Sequence, residues 1–240
     1  MRMKRVLLAS TALAVFAGAG QAQAGDDLYL SVLGGANFLS DSSFSTTDGG
    51  GECGGETCSF ATDADTGFAI GGAIGTRLDK WVKNLRVEME ASYRRNDIGG
   101  LFTEDGGETA GFIDGNMSTF AVMANAWYDI DVGHKVRPYV GGGVGWGRMN
   151  GDAQFVETTC GGGECGLGTE TETDSNSGFA WQLGLGINYE VMPDVDVGIG
   201  YRYFVGPRFD DFFDAFDDNG RVETHNHAVQ INLTIGIDAQ

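Results

Sequence analysis

Of the 240 residues, 40 are glycine and three are proline, with 15 Lys and Arg set against 34 Asp and Glu. Glycine at that density excludes a helical bundle, the length suits one domain, and a net charge of −19 excludes a protein that grips nucleic-acid backbone. Charged residues at 20% beside apolar ones at 42% also exclude global disorder.

The chain opens on a leader. Arg2, Lys4 and Arg5 make a basic start, Val6 to Ala19 is apolar, and Ala22-Gln23-Ala24 is a small-x-small cleavage site before Gly25. A signal peptide over 1–24, removed on export, is the expectation. A buried N-terminal helix would need polar positions at helical spacing, and Val6 to Phe16 offers only Ser10 and Thr11. The mature chain then keeps 12 bases against 34 acids, and no apolar run of helical spanning length follows.

Beyond the leader, period-two alternation recurs, the mark of strands whose faces meet different surroundings. The runs are Leu28 to Phe38, Gly67 to Leu78, Leu85 to Asn96, Asn116 to Ile130, Pro138 to Met149, Gly178 to Val191, Val195 to Val205 and His227 to Ile237. In the cleanest, Leu85, Val87, Met89, Ala91 and Tyr93 oppose Arg86, Glu88, Glu90, Ser92 and Arg94. Eight strands leave long loops at 39–66, 97–115, 150–177 and 206–224 and short turns at 79–84, 131–137 and 192–194. An up-and-down order therefore gathers the loops at one end and the turns at the other. Pro138, Pro193 and Pro207 fall at a strand start, in a turn and in a loop, where no ladder bond is lost.

Side-chain size decides which face is wet. The less apolar face is mostly tiny, with Gly67, Ala69, Gly71, Ala73 and Gly75 on one run and Gly141, Gly143, Gly145 and Gly147 on another. A solvated outer face would carry Lys, Thr and Glu, whereas small residues suit the crowded lumen of an eight-stranded barrel around a few long ones. On the bulky face, Phe38, Phe68, Tyr93, Phe120, Trp146, Phe179 and Tyr203 fall near the loop end and Tyr128 and Tyr189 near the other. Rings sorted to two levels, with Ile70, Val122, Leu185, Ile199 and Ile231 between, are the girdles of a membrane-spanning barrel. Closure satisfies every backbone group, which an open sheet in lipid cannot do.

The segments Leu85-Arg-Val-Glu-Met-Glu-Ala-Ser-Tyr-Arg94, Arg137-Pro-Tyr-Val-Gly-Gly-Gly-Val-Gly145, Phe179-Ala-Trp-Gln-Leu-Gly-Leu-Gly-Ile-Asn-Tyr189 and Val197-Gly-Ile-Gly-Tyr-Arg-Tyr203 resemble small eight-stranded outer-membrane β-barrel proteins of the opacity and surface-antigen type, with OmpA- and OmpW-like barrels. The resemblance spans the mature chain and implies a scaffold for adhesion, envelope integrity or immune-exposed loops. It also implies insertion by the outer-membrane assembly machinery, which reads a terminal aromatic. This chain departs there, ending Ile237-Asp-Ala-Gln240.

Four groups of residues invite a site. Cys53 with Cys58 and Cys160 with Cys165 form two C-x4-C pairs in the first and third long loops. In an oxidising compartment a disulfide within each loop is favoured over a bridge between loops or a four-sulfur zinc site. Arg77, Arg86, Glu88, Glu90, Arg94, Glu190, Asp196 and Arg202 are expected to meet in the lumen as a plug of salt bridges, because an unpaired buried charge costs several kcal/mol. His225 and His227 flank Asn226 where the last strand begins, with no serine at a diagnostic spacing, and His134 lies at the opposite end. The fourth group, in the last long loop, is Phe209, Asp210, Asp211, Phe212, Phe213, Asp214, Phe216, Asp217 and Asp218. A calcium loop counted back from Gly220 needs an acid where Ala215 stands, so that motif fails, but the loop suits contact with lipopolysaccharide or an extracellular surface.

The expectation is an all-β, closed antiparallel eight-stranded transmembrane barrel over 25–240, in the outer membrane of a Gram-negative-type bacterium, with long loops outside and both termini in the periplasm. Its partners would be outer-membrane lipid and lipopolysaccharide and, through the loops, an extracellular protein or surface ligand. A structural or surface-interaction role without catalysis, cofactor or metal is the leading reading. An outer-membrane enzyme acting on lipid A or peptides, a narrow channel and a soluble periplasmic carrier are the competitors.

Overall fold

In chain order the alternating runs form β1 (Leu28–Leu39), β2 (Ser43–Thr47), β3 (Thr57–Ala64), β4 (Gly67–Arg77), β5 (Leu85–Thr103), β6 (Thr109–Asp129), β7 (Val136–Gly161), β8 (Glu164–Met192), β9 (Val195–Val205) and β10 (His225–Ile237). These come from a computed structural model that describes residues 28–40, 43–47, 57–103, 109–161, 164–207 and 224–237. The signal-peptide expectation, Cys53 and the loop from Phe209 to Asp218 lie outside the described residues.

All pairings are antiparallel. The order β5-β4-β1-β10-β9-β8-β7-β6 closes through a further pairing of β5 with β6, giving an eight-stranded barrel, while β2 and β3 hang on the upper half of β5 as an added hairpin. Chain ends meet where β1 pairs with β10, from Leu28↔Ile237 to Leu39↔Asn226. No helix among the described residues is long and apolar enough to cross a membrane, and the strands do the crossing.

Three of the four long loops differ from expectation. Residues 97–103 and 109–115 continue the β5–β6 ladder, 150–161 and 164–177 continue β7–β8, and 39–66 holds the β2–β3 hairpin. In these segments apolar residues stand side by side, as in Leu101-Phe102, Phe112-Ile113 and Phe155-Val156, instead of alternating, so the period-two signal disappears while the backbone pairing continues.

The opposite end is made of tight turns, each with one residue at positive φ: Asn84 at 65°, Gly133 at 75° and Asp194 at 63°. Asn, Asp and Gly tolerate that conformation best. Asp79 Oδ1 accepts the Asn84 N–H at 2.7 Å and Asp131 Oδ1 the Gly133 N–H at 2.9 Å, so the acids close the turns locally.

Large apolar side chains look outward. Val32, Ile231 and Leu185 are exposed on the wall, while Tyr29, Met123, Trp127 and Phe204 are buried inside beside many polar residues. Register pairs Tyr93 with Phe120 and Trp146 with Phe179, and sets His227 between Phe38 and Tyr203, which builds one aromatic belt. Tyr128, Tyr189 and the exposed turn residue Trp81 sit at the other end.

Candidate functional site

Inward parity on β5 brings Arg86, Glu88, Glu90, Ser92, Arg94 and Asn96 into the bore, all buried. Glu90 is the hub. It faces Arg202 Nη1 at 3.0 Å and accepts from Asn125 Nδ2 at 2.9 Å and Gln182 Nε2 at 3.2 Å, so three strands converge on one carboxylate. Glu88 accepts from Trp127 Nε1 at 2.7 Å, Tyr29 OH at 3.0 Å and Asn125 Nδ2 at 3.2 Å.

The cations are held twice, by oxygen and by ring. Arg202 lies 4.1 Å from the Trp127 ring centroid and Arg94 3.9 Å from that of Phe204, while Arg94 donates to Ser92 Oγ at 3.1 Å. Arg86 grips Asp129 through Nε at 2.7 Å and Nη2 at 2.9 Å, a bidentate pair with little freedom. Nearer the turns, Asp196 sits between Arg77, at 3.2 Å, and Arg137.

Glycines make the room. A Cβ on Gly184 would stand 2.8 Å from Arg202 Cδ and 3.1 Å from Trp127, so the cation and the indole rest against bare backbone. In the middle lies a cavity of about 20 Å³ lined by Ser31, Arg86, Glu88, Tyr139, Asn188 and Arg202 among others. That holds roughly one water.

The bore therefore gathers seven of the eight charges singled out in the sequence. Glu190 stays at the turn end, half-buried, and joins no ion pair among the described residues. Sequence reasoning missed Arg137, which stands just before the run that starts at Pro138, and Asp129, Asn125 and Gln182, whose inward parity within the alternating runs was the available signal.

Other candidates fall elsewhere. Cys160 and Cys165 are register partners across β7 and β8, and Cys58 pairs with Thr46. No group of three metal-binding side chains occurs among the described residues. His134 is exposed in a turn at the far end.

The rim gives the two histidines singled out in the sequence partners that the sequence did not reveal. His227 faces outward in the belt; its Nε2 lies 3.1 Å from Ser40 Oγ and its Nδ1 2.5 Å from the Tyr201 hydroxyl. His225 Nδ1 likewise meets the Tyr203 hydroxyl. A serine partner does exist, 187 positions away in sequence, delivered by the closure of β1 onto β10.

Comparison with known proteins agrees with this architecture. The profile of the outer membrane protein beta-barrel domain matches residues 7–235. Among solved structures, Neisserial surface protein A is similar at 17% identity and TM-score 0.50, over 88% of this chain and 97% of that one. OprG from Pseudomonas aeruginosa is similar at 13% identity and TM-score 0.45, over 90% and 99%. The Yersinia pestis attachment invasion locus protein Ail, solved with the heparin analogue sucrose octasulfate, is similar at 18% identity and TM-score 0.39, over 87% and 99%. No curated protein matches the chain. Likeness at such identities speaks to fold alone.

Proposed function

Because this chain belongs to the outer membrane protein β-barrel domain family, we propose that it serves as an envelope scaffold whose work is done on its outer surfaces, in a structural or surface-interaction role such as adhesion. The filled bore carries this reading. Buried charges hold one another across the lumen, around a cavity of about 20 Å³ with room for about one water. Function then falls to the hairpins, the loop 206–224 and the lipid-facing wall.

In this reading residues 1–24 are a cleaved signal, both termini lie in the periplasm, and the assembly machinery inserts the barrel with the β5–β6 and β7–β8 hairpins outside. Lipopolysaccharide surrounds the wall, and the acidic, phenylalanine-rich segment from Phe209 to Asp218 meets an extracellular surface. The register of Cys160 with Cys165 supports a disulfide across the β7–β8 tip, with Cys53 and Cys58 bridged in the first hairpin.

Trypsin on intact cells tests the arrangement. Cleavage at Arg208 and Arg221 with Lys80, Lys83 and Lys135 protected is expected, and cleavage at the three lysines alone overturns it. The unheated barrel on the same gel should run faster than boiled protein, with a further shift under reductant if the tips are bridged.

A further inference from the structure

A serine hydroxyl, an imidazole and an orienting hydroxyl in one line are the components of an activated nucleophile, whatever fold carries them. Here the line runs Ser40 Oγ, His227 Nε2 at 3.1 Å, His227 Nδ1, Tyr201 OH at 2.5 Å. Ser40 is held from its backbone as well, its N–H donating to the His225 carbonyl at 2.9 Å. Ser40 directly follows β1, and with His227 on β10 and Tyr201 on β9 it lies at the outward face of adjoining strands, in the belt that marks the headgroup level.

Depth suggests the substrate. The acyl ester of a membrane amphiphile places its carbonyl just beneath the headgroup, with its chain running down toward the bilayer centre. Below Ser40 and His227 the wall is apolar and exposed through Phe38, Val229, Ile231 and Val32, a surface along which such a chain lies without leaving lipid.

We propose that Ser40 and His227, oriented by Tyr201, form a site that cleaves acyl esters of outer-leaflet lipids. His227 carries its proton on Nδ1 and donates it to the Tyr201 oxygen, so Nε2 accepts from Ser40. Ser40 Oγ adds to the ester carbonyl carbon as its proton passes to Nε2. The acyl C–O bond breaks and the alcohol leaves with that proton. Water, deprotonated by the same nitrogen, then hydrolyses the acyl-serine, releasing the fatty acid and restoring the hydroxyl of Ser40. Tyr201 is a positioning residue, neutral where a carboxylate often stands, so the imidazolium lacks a counter-charge and turnover is slow. The site lies outside the bore and rests on the proposed orientation, with this rim in the outer leaflet, but not on the scaffold role.

The test uses the full chain refolded into vesicles, its integrity checked by gel mobility of unheated samples. Fatty-acid release is measured from phosphatidylethanolamine vesicles and, separately, from lipopolysaccharide, which distinguishes the two ester sources. A fluorophosphonate probe reports serine reactivity independently of either. Release from at least one lipid and a probe adduct on Ser40 are expected. Both should vanish in Ser40→Ala and fall on the order of 10²–10⁴-fold in His227→Gln. Tyr201→Phe should lower kcat about tenfold with KM unchanged, as loss of orientation rather than of binding requires. His134→Ala, at the opposite end, should match the parent. A folded parent that neither releases fatty acid nor takes the probe overturns the proposal, as does a Ser40→Ala variant that retains both.

Discussion

The bore and the rim hold two polar clusters built from different chemistry. In the bore, full charges are buried to within a few per cent and answered by opposite charges, amides and rings. At the rim, hydroxyls and imidazoles pair in exposed or part-buried contacts of the outward aromatic belt. The bore is rich in acids and bases yet has nowhere for a substrate, whereas the rim has modest groups and free access. Access, more than the reactivity of the residue types, separates framework from site.

The sharpest way to break this contrast is Glu90→Ala. It leaves Arg202 buried without its carboxylate and should cost about 3–5 kcal/mol in denaturant unfolding from vesicles. Replacing Glu90 and Arg202 together with Met should restore only part of that loss, since Arg94, whose opposite charge is also Glu90, stays buried without it. Next in size, Gly184→Leu drives a side chain against Arg202 and Trp127 and should lower stability by about 1–3 kcal/mol, read in the same unfolding curves. The smallest effect belongs to the rim. Tyr201→Phe should leave the unfolding midpoint within about 0.5 kcal/mol of the parent, because the hydroxyl faces outward in an exposed contact. A large loss there would make the rim cluster a framework too, and the contrast would fail.

Most of the barrel was legible from alternation because lipid outside and a packed lumen inside impose opposite demands on successive residues. The opposition of Met89 to Glu90 and of Leu183 to Gln182 states which side is which. Legibility stopped where the alternation did. From Gly151 to Gly161 and from Glu164 to Ser175, Thr, Glu and Gly predominate, Phe155 and Val156 stand side by side, and no period of two emerges although the ladder is continuous. Arg137 escaped because it stands one step before a patterned run, while Asp129, inside its run, was readable from inward parity. Ser40 was beyond sequence altogether. It follows β1, and only the sideways closure onto β10 brings it to His227.

The β7–β8 ribbon has a consequence for reach. Its first strand alone counts 26 residues, of which a tilted crossing of the hydrocarbon layer uses about 10. Roughly 15 residues at ~3.3 Å each, some 50 Å of ladder measured along the strand, stand clear of the acyl region. A partner too bulky to reach the barrel wall would touch that tip first, and the barrel below it only if the ribbon bent aside.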